Sequence, residues 1–161
     1  MAQFPANYYA PSVMQGTPAN PTAPSSTSAY AMQGIGQLIT PATPSGNILA
    51  LLSASLTDAA TTVGEGILLQ LYYGPVISGV NIPANASAIP SSAIAVGNPI
   101  EFATGVTLTT AADLFVPITL FGLAKALTPG QQYWFDVAAK SVIGASQVAL
   151  TNVNFALLEI G

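Results

Sequence analysis

From residue 47 onward the hydrophobic positions alternate with small or polar ones, the period of a strand rather than of a helix. Ile48, Ala50, Leu52, Ala54 and Leu56 share one face of a predicted strand from Asn47 to Leu56, with Ser53 and Ser55 opposite. Ile67, Leu69, Leu71 and Tyr73 do the same from Gly66 to Tyr73, with Gln70 and Tyr72 on the other face. Between Gly74 and Asn98, Gly-Pro and Asn-Pro steps predict a long loop with one short strand around Ala93 to Val96. Two strands are then expected, Ile100 to Thr109 and Phe115 to Leu120, the second placed at an edge or a bulge by Pro117. Gln132 to Lys140 sends Tyr133, Phe135 and Val137 to one face and Trp134, Asp136 and Ala138 to the other, and Ser146 to Ile160 closes the chain. Leu120 to Leu127 is compatible with one or two helical turns, and no amphipathic helix is indicated. The pattern predicts an all-β, jelly-roll-like antiparallel sandwich over residues 46–161.

Before residue 46 the pattern vanishes. Seven of the 13 prolines fall in the first 44 residues, without helical or strand spacing, and the first 47 residues contain neither acid nor base. Each proline removes a backbone donor and biases its predecessor toward extended geometry, so residues 1–45 read as an extended arm. Its apolar side chains, Phe4, Tyr8, Tyr9, Met14, Tyr30, Met32 and Ile35, would be wasted in water and suit burial against another protein surface.

Charge narrows the function classes. Only 5% of the residues are charged, against about 25% in an ordinary soluble domain, and 51% are hydrophobic. The two cations are Lys125 and Lys140, so there is no basic footprint for nucleic acid or for an anionic membrane surface. No apolar run approaches a membrane span, and the N-terminus has no signal-peptide pattern. Without Cys or His the usual zinc ligands are missing, and no cofactor is called for.

Candidate chemistry is sparse. Asp58 and Glu65 flank one loop, where they would make a weak Ca²⁺ site or a hydrolytic pair, or simply solubilise the loop. Trp134 and Asp136 share a strand face and suit either a glycan or a subunit contact. Serines have no histidine base, and a Ser-Lys dyad using Lys125 or Lys140 has no supporting motif. Gly34-Ile35-Gly36 is too short for a phosphate loop, and Asn85-Ala86-Ser87 is a sequon in a predicted loop. Pro129 and Gly130 specify a type II turn, and Tyr133, three residues on, is placed to return its hydroxyl to the corner backbone, as in Greek-key sandwiches.

Three segments, Gly66-Ile67-Leu68-Leu69-Gln70-Leu71-Tyr72-Tyr73-Gly74, Leu127-Thr128-Pro129-Gly130-Gln131-Gln132-Tyr133-Trp134-Phe135-Asp136-Val137 and Asn152-Val153-Asn154-Phe155-Ala156-Leu157-Leu158-Glu159, together resemble a group of small tailed-phage structural proteins. The resemblance spans roughly residues 47–160 and leaves the arm outside. It implies a non-enzymatic capsid decoration, or cement, protein on the virion exterior, assembled in the host cytoplasm. The implied partners are the major capsid protein and further copies of the chain, a trimer being favoured over a dimer. The alternative is a head-fibre or receptor-binding module that holds host glycans through Trp134.

Overall fold

The computed structural model describes residues 12–58, 65–77, 81–103, 114–143 and 148–160. Nine strands are found among them: β1 (Val13–Gly16), β2 (Ala31–Met32), β3 (Gln37–Ile39), β4 (Asn47–Asp58), β5 (Gly66–Pro75), β6 (Ile94–Ala103), β7 (Leu114–Ala124), β8 (Tyr133–Ser141) and β9 (Val148–Ile160). They form two antiparallel sheets, one ordered β1-β9-β4-β7 and the other β2-β8-β5-β6, with β3 also paired to β8.

The pairing is that of a rolled hairpin. β4 pairs β9, and β5 pairs β8, each partner coming from the opposite end of the chain. Neighbours in sequence thus lie in different sheets, except for β2 with β3, which both pair β8, and for the β5–β6 pair. This nesting is jelly-roll-like wrapping, and it brings the alternating faces of β4, β5, β8 and β9 together as one core. Ile48, Leu52, Ile67, Leu69, Phe135 and Phe155 are all buried in it. Tyr73 stacks on Phe135 with ring centroids 5.4 Å apart.

Several expectations change. Leu120 to Leu127 holds no helical turn: β7 runs on to Ala124 because Leu120 and Ala124 face the core while Phe121 and Leu123 face out. The short strand at Ala93 and the next at Ile100 are one strand, β6, interrupted by a bulge at residues 97–99. Gly97 there has φ +70°, and the buried Gln70 amide donates to the carbonyls of Val96 (2.9 Å) and Gly97 (3.2 Å). Pro117 does lie on an edge strand, where its missing N–H costs no ladder bond.

The main correction concerns the N-terminal arm. Its described part, residues 12–45, packs on this chain's own sandwich. β1 adds to the free edge of β9, and β2 and β3 add to the free edge of β8. Both edges on that flank are therefore paired, while β6 and β7 remain the outer strands of their sheets.

Candidate functional site

Two carboxylates hold the uncharged strap in place. Asp136 projects from the outer face of β8, and its oxygens accept the backbone N–H groups of Gly34 (2.9 Å), Ile35 (3.1 Å) and Val137 (2.8 Å). Gly34 can present its N–H because φ there is +65°, and Gly36 lies so close to Phe135 that a Cβ would collide with its carbonyl. Gly34-Ile35-Gly36 is therefore an anion cradle, and its anion is the chain's own aspartate. Burial pushes the Asp136 carboxyl up to about 7, against the opposing pull of the N–H donors of Val137, Gly34, Ile35 and Gly36.

Glu159 does the same at the other end of the strap. It accepts the N–H groups of Ser12 (2.9 Å), Ala42 (2.9 Å) and Thr43 (2.6 Å) and the Thr43 hydroxyl (2.8 Å). Only 2% of the residue is exposed, yet it sits near the end of β9 with protein on fewer sides than Asp136. Burial raises its pKa, but the four donors together outweigh that and hold the carboxyl down at about 2. In the sequence Asp136 reads as a glycan or subunit contact beside Trp134, and Glu159 as one of six scattered acids. The only local sign that each gathers backbone N–H groups is its place in an otherwise apolar strand.

The strap, with Val76, Ile82, Ile89 and Ala93 from the connection after β5, covers the outer face of β8. Trp134 is fully buried there, in a second apolar cluster with Met32 and Ala138, flanked by Tyr30, Tyr72 and Ile82. The expectation that Trp134 and Asp136 meet a glycan or a second subunit is thus corrected, since both are wholly buried. Met32 and Ile35 are likewise spent on this chain's own interior, with 0% and 1% exposure. Tyr30 is half-buried beneath Lys140, whose Nζ lies 5.0 Å from the ring centroid. Met14 remains 43% exposed at the β1 edge. Phe4, Tyr8 and Tyr9 lie outside the described residues.

At the β7–β8 corner, Gln131 N–H donates to Thr128 O across Pro129 and Gly130, whose φ is +79°. The Tyr133 hydroxyl accepts the Thr128 N–H at 3.1 Å. The Asn85 amide donates to Gln33 O at 2.8 Å, so the sequon nitrogen is engaged in holding the loop. Residues 59–64 and the Asp58 side chain, on which the acidic-pair expectation depends, lie outside the described residues. Among the described residues no group of three or more His, Cys, Asp or Glu is placed to hold a metal ion.

What the described surface does offer is an uncharged apolar face. Residues paired across an antiparallel sheet point the same way. On the outer side of the β1-β9-β4-β7 sheet one row runs Val13, Leu158, Leu49, Leu123, and the next runs Gln15, Ala156, Leu51, Phe121. Phe121 is 71% exposed and Val13 62%. No position in these rows is charged.

No family model matches the chain, and no curated protein matches it. Solved structures do. One is the VP2 subviral particle of infectious bursal disease virus, with TM-score 0.44 and 14% identity over 94% of this chain and 33% of that one. Another is the structure of the Gx strain of the same virus, with TM-score 0.44 and 12% identity over 100% of this chain and 36% of that one. The chain spans about a third of the length of the chains it matches.

Proposed function

We propose that this protein is a structural virion component, a decoration protein that binds the outer surface of a phage head across coat-subunit junctions and works by binding rather than by chemistry. The observation that carries this reading is the outer face of the β1-β9-β4-β7 sheet, where uncharged apolar side chains lie open on a sandwich whose other sheet has the outer face of β8 covered. A chain with 5% charged residues, two of its six acids buried on its own strap, has little ionic surface with which to attract a partner. Exposed apolar area of this kind marks protein contact. A protein that binds only the assembled shell stabilises it by mass action, without any reaction. Since residues 12–45 pair with this chain's own sandwich, contact of the arm with another protein surface falls to residues 1–11, with Phe4, Tyr8 and Tyr9.

The test is co-sedimentation with genome-filled particles from infected lysate, followed by a wash in about 1 M salt, where the screening length is near 3 Å. Retention at high copy number is the expected result, and release into the supernatant overturns the reading. Deleting residues 1–11 is expected to lower retention without changing the fold of the sandwich.

A further inference from the structure

We infer that the chain carries a binding pocket for the acetamido group of an N-acetylated sugar, set between residues 22–33 of the strap, Ala86 of the connection after β5 and Ala139 of β8. The cavity there measures about 190 Å³. It exists because the side chains around it are too short to fill it: its inner wall is Ala31, Ala139 and Pro24, and Ala29 and Ala86 stand exposed at its mouth. Hydrogen bonds hold the walls apart. The Ser141 hydroxyl donates to Pro24 O (2.7 Å) and the Ser141 N–H to Ser26 O (2.8 Å), while the Met32 N–H donates to Ser87 O and the Ala86 N–H to Met32 O, both at 2.8 Å. The space is therefore preformed, as ligand sites usually are.

Its chemistry is specific. None of the lining side chains is charged, so nothing there would hold a phosphate, a carboxylate or an ammonium group. Gln33, 2% exposed, is the one buried polar side chain in the lining. Its Nε2 donates to Ala31 O at 3.1 Å, which fixes the orientation of the amide, and its Oε1 has no donor among the described residues. A buried oxygen left unpaired is costly, and in native structures it ordinarily points to a missing partner. The partner required is an N–H or O–H donor with apolar flanks. Water meets the first need and not the second, since the rest of the inner wall is methyl groups and a proline ring. An acetamido group meets both, with its N–H for Gln33, its methyl for the alanines and its carbonyl for the Thr22 and Ser25 hydroxyls at the exposed rim. Size points the same way. A water's share of liquid volume is about 30 Å³ and drug-sized pockets begin near about 300 Å³, so this cavity takes a substituent of several heavy atoms. The sugar ring stays at the mouth, its hydroxyls facing the serine and threonine of the rim.

Titration of the isotope-labelled full chain with N-acetylglucosamine, followed through its amide resonances, tests this. The amides of Ala29 to Gln33, Ala86 and Ala139 are expected to shift saturably, with Kd on the order of 1 mM, the strength open to so small a contact. Glucose, which carries a hydroxyl in place of the acetamido group, is expected to leave them unmoved. Ala29→Phe plugs the mouth from an exposed position and should abolish the response with an unchanged melting temperature. Gln33→Met removes the acceptor and should weaken binding about tenfold; if it also loosens the strap, Ala29→Phe alone decides. No saturable shift, an equal response to glucose, or a response that survives Ala29→Phe overturns the inference. A response to N-acetylalanine amide with none to N-acetylglucosamine would assign the pocket to an acetylated peptide, which overturns it too. Co-sedimentation with particles is a separate readout, expected to be indifferent to N-acetylglucosamine, so the pocket and the decoration reading can fail independently.

Discussion

Asp136 is a single side chain on which a whole segment depends. Both of its oxygens accept backbone N–H groups, so Asp136→Asn turns one acceptor into a donor aimed at a donor. The expected cost is about 1–3 kcal/mol, the penalty for stranding a buried polar group, read as a lower melting temperature. Gly36→Ala should act on the same joint by a different cause, since its Cβ would meet the Phe135 carbonyl, which cannot yield as a flexible side chain would. Trp134→Ala should cost about 3–5 kcal/mol, as the loss of a large buried aromatic does. Its near-ultraviolet signal should already be that of a buried indole in the wild type. A wild-type fluorescence maximum typical of solvated tryptophan would contradict the position of the strap over β8.

At the scale of elements, the strap should behave as a unit held at two points. Glu159→Gln replaces one of the oxygens gathering Ser12, Ala42 and Thr43, so amide exchange is expected to speed up in residues 12–16 and 41–43 while the β4 and β5 amides stay protected. Uniform acceleration throughout would mean that the strap is not a separable unit. The alternation along β4, β5 and β9 was legible because each has one apolar and one mixed face, so burial could be read from period alone. β8 was misread for a related reason. Trp134, Asp136 and Ala138 form a second face that is nearly as apolar as the first, and a strand apolar on both faces is covered on both. The cover itself could not be read, because the cradle at Gly34 to Gly36 lies about 100 positions from its carboxylate. The β6 bulge escaped for the same reason: Asn98-Pro99 reads as a chain break, and the Gln70 amide that satisfies the bulge comes from the neighbouring strand.

For the whole molecule, the two buried acids set opposing limits on stability. The Asp136 pKa is raised from 3.8 to about 7, so between those values the folded chain holds a proton that the unfolded chain has lost. Stability therefore falls as pH rises from about 4 to about 7 and is flat beyond. The Glu159 pKa is lowered from 4.5 to about 2, so its contribution is complete above 4.5 and is lost as pH falls through that interval. The sum is a stability maximum near pH 4 to 5, below neutrality, in a protein that has few other charges to mask it. Denaturant melts from pH 2 to 9 measure this directly. Asp136→Asn should flatten the neutral side of the curve and leave the acid side, while Glu159→Gln should do the reverse. A wild-type curve that rises to about pH 4.5 and stays flat from there to pH 7 would mean that the N–H donors around Asp136 outweigh its burial, as they do at Glu159. The strap would then be held by an ionised carboxylate at both ends, and acid alone would release it.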